Sequence, residues 1–455
     1  MGLKELLMNL PEVKKPEEKR LSFNVKLKWT LIVLAAFFVL ANIPLYGLAE
    51  NSLAQFEYLA LIMGTEFGSV TSLGIGPIVM ASIILQLLVG SGILGIDMKT
   101  PDGKRYFQGL QKLLAIFFCI FEATVYVAMG GLAAMPGLGW LLILQLFIGG
   151  ILIMFMDEVI TKWGFGSGVS LFIAAGVGWH VFAAAFGFLD SQMQIATVGK
   201  VWVLLKAISA ADTINAASAA AAIFATVLIF LIVVWAQAIK VEIPLSFGRI
   251  RGFGMRWPLS FFYTSNIPVI LTASLLASMQ LAAKLLENIA GGPTFLGGFS
   301  QGVPVSGLAA FLSSPQILES IIRGSFQTAF IWQALVYVIF MIAGSIMFAA
   351  FWVKTSGMDA SNQAQQILAS GLQIPGFRRD PRVLESILSR YIMPLTVMGG
   401  AAVGLLAATA DLLGAIGRGT AILLAVMIVY KLYEEIAKQH AYDMHPALKK
   451  IMKID

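Results

Sequence analysis

The chain has 455 residues, 58% of them hydrophobic and 12% charged, with a formal net charge of +6. A water-soluble fold of that composition would expose far more apolar surface than water tolerates, so most of the chain has lipid as its solvent. Its one cysteine, Cys119, excludes an intrachain disulfide or a Cys-based metal site, and His180, His440 and His445 are too scattered for a metal cluster.

In chain order, residues 3–10 read as a short amphipathic helix lying on the membrane surface and ended by Pro11. No small-residue cleavage site follows the first apolar run, so that run is expected to stay in the protein. Ten apolar stretches then follow, at 29–48, 70–89, 110–130, 138–156, 168–188, 217–239, 263–285, 329–353, 391–410 and 414–433. About 20 residues rising 1.5 Å each cross a hydrocarbon core of roughly 30 Å, so each stretch can span. With the N-tail in the cytoplasm, every one of the 31 Lys and Arg residues except Lys200, Lys206, Lys284, Arg323 and Arg418 falls on the cytoplasmic side. That asymmetry puts both termini in the cytoplasm and explains most of the positive charge by topology and attraction to anionic headgroups.

Segments between the spans carry further signals. Residues 53–68 hold an apolar pattern (Phe56, Tyr58, Leu59, Leu61, Ile62, Met63) ending at Gly64 and Gly68. It is too short to cross, which predicts a re-entrant or interfacial helix covered by protein or water. The cytoplasmic loops 240–257 and 354–390 are long and basic, while 291–315 reads as an irregular outer loop that can dip back toward the bundle. An internal echo relates GIGPIV at 74–79 to SNIPVI at 265–270. If the ten spans form two halves of five, these are corresponding members, and interrupted helices at matching positions of inverted repeats mark transport pathways. Proline in the first turn of two ordinary helices explains the echo equally well.

No phosphate-binding loop and no H-E-x-x-H zinc motif occurs. The run 164–168 (GFGSG) would suit a serine nucleophile, but His180 lies too far along the same span to activate it. No catalytic residue and no cofactor are therefore expected. Glu122 is the clear acid inside a span, at a cost of about 2.5–3.5 kcal/mol on insertion scales. A lone acid favours a partly hydrated position between helices, near Asn266, or a protonated carboxyl bonded to a neighbouring helix, over a proton relay.

The motifs 73–88 (LGIGPIVMASIILQLL), 157–173 (DEVITKWGFGSGVSLFI) and 265–271 (SNIPVIL) carry a resemblance to the archaeal-type SecY family, the main subunit of the protein-translocation channel, and it extends over essentially the whole chain. The resemblance implies an all-α membrane protein with ten transmembrane helices in two pseudo-symmetric, inverted five-helix halves around a central pore. The implied parts are an N-tail (1–28), an N-terminal half (29–200) with a plug at 53–68, a C-terminal half (201–433), and a cytoplasmic C-tail (434–455). It further implies a pore ring of Ile75, Val79, Val169, Ile173, Ile270 and Leu424, with the plug from Phe56 to Gly64 and beyond capping it from outside. A lateral gate would run between the second and seventh spans, with Glu122 and Asn266 as polar positions and Met80 where the family often has threonine. Arg249, Arg251, Arg378 and Arg379 would contact phosphates of ribosomal RNA. The implied partners are SecE, Sec-beta, the ribosome, signal sequences, nascent polypeptides and membrane lipid, in the plasma membrane and without a cofactor. The rival from another class is a secondary transporter of a small solute, which would place polar ligands at the midplane where this reading has an aliphatic waist.

Overall fold

The computed structural model describes residues 10–18, 21–51, 53, 60, 64–96, 100–188, 199–247, 254–300, 302–369, 372–373 and 380–440. Each of the ten apolar stretches coincides with a helix. These are α1 (Phe23–Ala41), α2 (Gly76–Gly90), α3 (Pro101–Ala128), α4 (Gly139–Trp163), α5 (Gly168–Phe186), α7 (Thr213–Gln237), α8 (Ile267–Ala290), α11 (Ala329–Thr355), α13 (Pro381–Leu412) and α14 (Gly419–His440). Four shorter helices, α6 (Lys200–Ser209), α9 (Gly307–Phe311), α10 (Ile317–Ile322) and α12 (Ala360–Ala369), lie between them. Among the described residues 8 helical stretches are long and apolar enough to cross a membrane; α2 is apolar but has only 15 residues, and α14 has 22.

The helix ends depart from the apolar runs for local reasons. The first span was expected at 29–48, yet α1 ends at Ala41, because Pro44 cannot continue the helix and restricts the residue before it. Helices α3 and α13 begin well before their apolar runs. Thr100 caps α3 by accepting from Gly103 N at 3.1 Å, and Asp380 caps α13 by accepting from Arg382 N at 2.9 Å, each followed by proline at the first helical position. These polar first turns lie outside the apolar runs, so hydropathy alone does not register them.

One large apolar core joins α2, α4, α5, α7, α8, α11, α13 and α14. Helix α5 packs on α14, α2 on α3, α8 and α11, and α11 on α13. Outside the bundle, the short strands β1 (Leu48–Asn51) and β2 (Leu132–Ala134) pair antiparallel. The outer loop does fold back. Its strands β5 (Gly298–Ser300) and β6 (Val303–Ser306) form a hairpin, Phe299 N donates to Glu287 at 2.8 Å, and buried Gln280 donates to Leu312 O at 3.2 Å.

The two basic loops share one sheet. Strands β3 (Lys240–Phe247) and β4 (Gly254–Ser260) form a hairpin, and β7 (Leu372–Gln373) from the second loop pairs with the end of β3. Ile243 and Leu259 seat that sheet against Val353, Ile367, Leu384 and Leu388. The N-tail is stapled across the ends of α3 and α4. Glu158 accepts from Val13 N at 2.9 Å and pairs with Lys112, while Lys162 pairs with Glu12 at 3.0 Å and donates to Val13 O at 2.7 Å. The hydrogen bond from Lys162 holds the Glu12 carboxyl below its usual range. Most of the predicted surface helix, residues 1–9, lies outside the described residues.

Candidate functional site

The echo between the second and seventh spans is geometric as well as sequential. Gly74 and Ser265 both have positive φ, 54° and 57°. The next residues, Ile75 and Asn266, take nearly the same backbone conformation (φ −84°, ψ −3° and φ −84°, ψ −12°), and each is followed two positions on by proline within the first turn. Val79 and Ile270 each stand two residues beyond that proline. The two apolar side chains are therefore presented by matching helix starts.

Helices α2, α5, α8 and α14 bring all six predicted ring residues into a single cluster. Ile75, Val79, Ile173, Ile270 and Leu424 are buried there, and partly buried Val169 packs against them. A cavity of 630 Å³ reaches Val79, Val169 and Ile270, walled further by Ser82, Gln86, Gln111 and Lys431. Gly64, the one described residue among the seven singled out within the plug, also stands close to the cluster; a Cβ there would lie 3.8 Å from Ile75 Cγ2 and 3.7 Å from Ile173 N. Phe56, Tyr58, Leu59, Leu61, Ile62 and Met63 lie outside the described residues. Just beyond Gly64, Glu66 pairs with His180 Nε2 at 3.0 Å, tying this segment to α5. A cavity of 590 Å³ opens beside that pair, lined by Phe37, Gly64, Trp179 and His180.

At the predicted gate, Ser278 of α8 donates to the Met80 sulfur of α2 at 3.6 Å, so Met80 sits in the contact between those helices. Asn266 is buried, its Oδ1 accepting from Ser265 at 3.0 Å and its Nδ2 finding no partner among the described residues. Glu122 Oε2 likewise has none. Among the described residues no hydrogen bond joins Glu122, carried by α3 between Cys119 and Tyr126, to Asn266. Sequence reasoning missed buried Gln86 of α2, whose Oε1 is also unpaired. It also missed Asp411, a buried acid at the end of α13, having taken Glu122 as the clear intramembrane acid. A search for polar residues within and just beyond each apolar run would have found both, Gln86 inside the run 70–89 and Asp411 directly after 391–410. Arg249, Arg251, Arg378 and Arg379 lie outside the described residues, but the strands that adjoin them in sequence, β3 and β7, are hydrogen-bonded neighbours.

Comparison with known proteins places these features. A family model described as SecY matches residues 69–433, and one described as the plug domain of Sec61p matches residues 36–68. The protein translocase subunit SecY of Methanothermobacter thermautotrophicus is 46% identical over 449 residues, covering 97% of this chain and 96% of that relative. A solved protein conducting channel superposes with a TM-score of 0.84 at 40% identity, covering 99% of this chain and 100% of the other. Sec61 in a canine ribosome-channel complex from the endoplasmic reticulum superposes with a TM-score of 0.81 at 40% identity, with the same coverage. On the family match, the near full-length identity and the shared fold, the chain belongs to the SecY family.

Proposed function

We propose that the chain is a protein-conducting channel that passes secretory polypeptides across the membrane and releases apolar segments sideways between α2 and α8. The observation that supports this reading is that the six aliphatic side chains share one apolar core drawn from four helices, with a cavity reaching Val79, Val169 and Ile270, and with Gly64 close to Ile75 and Ile173. Aliphatic walls dewet when empty and offer a passing polypeptide no fixed hydrogen bonds, which suits a pore that must accept any sequence. A solute transporter would instead aim polar ligands at the waist. The ten helices form two inverted halves of five, 29–200 and 201–433, with residues 53–68 as plug, 1–28 and 434–455 as cytoplasmic tails, and the plasma membrane as location. A signal sequence shifts the closed-to-open equilibrium by replacing α2–α8 contacts with contacts to itself and to lipid. The partners are SecE, Sec-beta and, through loops 240–257 and 354–390, the ribosome. A photoactivatable residue placed at Val79 or Ile270 should cross-link to a secretory chain stalled during translocation; a chain that instead cross-links only at lipid-facing Phe224 would remove the pore from this site.

A further inference from the structure

The starts of α5 and α14 repeat one another. Residues 166–173 read GSGVSLFI and residues 417–424 read GRGTAILL. Gly166 and Gly417 both have positive φ, 68° and 77°. Gly168 and Gly419 open their helices pressed against the helix before: a Cβ on Gly168 would lie 2.5 Å from Asp157 Cα, and one on Gly419 2.0 Å from the Ala410 carbonyl carbon. The next amide is held in both cases by an aspartate of that preceding helix. Val169 N donates to Asp157 Oδ1 at 2.9 Å, and Thr420 N donates to Asp411 Oδ1 at 2.8 Å. Four residues past each held amide, on the same helix face, stand Ile173 and Leu424. Asp411 also accepts from Thr420 Oγ1 and Tyr337 Oη, both at 2.5 Å, so α11 is bound into the junction. The other two helices of the waist lack this device. Among the described residues no side chain accepts a hydrogen bond from the first-turn amides of α2 or α8, and each carries proline as its second residue.

We infer that Asp157 and Asp411 are a matched pair of positioning residues that fix the α5 and α14 walls of the ring while α2 and α8 stay free to part; this rests on the ring reading above. A carboxylate at a helix N-terminus satisfies an orphan amide, faces the positive end of the macrodipole and forms a charge-assisted hydrogen bond. Glycine at the first helical position lets the acid-bearing turn come close enough to do so. The anchors run from the fourth span to the fifth and from the ninth to the tenth, the same step in each half, as inverted repeats require. Because α5 and α14 also pack on one another, the anchored wall spans both halves. Opening is then one-sided.

The test is ion conductance of the full-length protein reconstituted in lipid vesicles. Asp157→Ala should raise the resting leak about tenfold, the scale set by losing one charge-assisted hydrogen bond to backbone, and Asp411→Ala, which also loses the bonds from Thr420 Oγ1 and Tyr337 Oη, by at least as much. Asp157→Asn and Asp411→Asn keep an oxygen for the amide and should restore most of the seal. Alanine variants that seal like the native chain, or asparagine variants that leak as much as alanine, overturn the inference. Ile75→Gly with Ile270→Gly runs in parallel. If it leaks while the alanine variants do not, the anchors fall and the ring stands; if it seals, the ring reading falls and takes the anchors with it. Where an alanine variant is not monodisperse, Asp157→Ser or Asp411→Ser, whose hydroxyl stops short of the amide, carries the same two outcomes.

Discussion

Truncating Ile173 to alanine isolates the seal from the rest of the bundle. Ile173 is fully enclosed, within the cluster that holds Ile75, Ile270 and Leu424. The substitution removes three carbons, and at about 0.8 kcal/mol per buried methylene it weakens the closed waist by roughly 2.4 kcal/mol. A factor of ten per 1.4 kcal/mol turns that into a rise of about 50-fold in the fraction of channels that conduct ions. The assay is the resting conductance of planar bilayers containing the purified protein. Ile153→Ala is the matched comparison: it deletes the same carbons from an equally enclosed residue of the same core, carried by α4, which supplies none of the six ring residues. It should cost about 2–5 kcal/mol of stability and leave conductance unchanged. Equal leakage from both variants, or an Ile173→Ala channel as tight as the native one, would refute a seal at this position.

Reversing charge at Arg249, Arg251, Arg378 and Arg379 should abolish ribosome binding, and single reversals should flatten its salt dependence by about one counterion each, measured by co-sedimentation over a salt series. His180→Ala removes a contact with Glu66 that is partly solvent-exposed, so its worth is about 0.2–1 kcal/mol and the resting leak should rise by less than about tenfold. Lys240 bonds Glu434 at 2.5 Å, and that hydrogen bond raises its pKa above the ordinary lysine value. A raised lysine contributes stability fully below the unfolded value of about 10.4 and loses it as pH climbs through the folded one. Lys240→Gln should therefore remove part of the alkaline fall in melting temperature above about pH 10 and leave the neutral range with a small, pH-independent loss; an unaltered alkaline profile would count against the pair.

The transmembrane frame was readable because its cause is local: a run of apolar residues long enough for lipid forms a helix whatever surrounds it. Its boundaries were less so, since Thr100 and Asp380 extend α3 and α13 by capping polar turns that hydropathy ignores. The waist was unreadable from physics alone. Ile75, Val79 and Leu424 look like any core aliphatics until four helices distant in sequence bring them together, and only the family resemblance singled them out. The joining of the two basic loops through β3 and β7 depends on a pairing between strands more than a hundred residues apart. The roles of Asp157 and Asp411 escaped notice because the bond they share goes to a backbone amide, which leaves no side-chain signature, and because Tyr337, a further partner of Asp411, lies 74 residues away, although GSGVSLFI and GRGTAILL stood in plain view.

The buried Gln86 Oε1 on α2 and Asn266 Nδ2 at the start of α8, each without a hydrogen-bond partner among the described residues, bear on how readily the channel yields. Each buried polar atom left without a hydrogen bond raises the free energy of the shut form by about 1–3 kcal/mol, a burden lifted once the two helices separate and water or a polypeptide reaches the groups. The resting protein is thus spring-loaded, and an arriving chain supplies only the remaining part of the work. Leucine at both positions would make a tighter door that responds to fewer visitors.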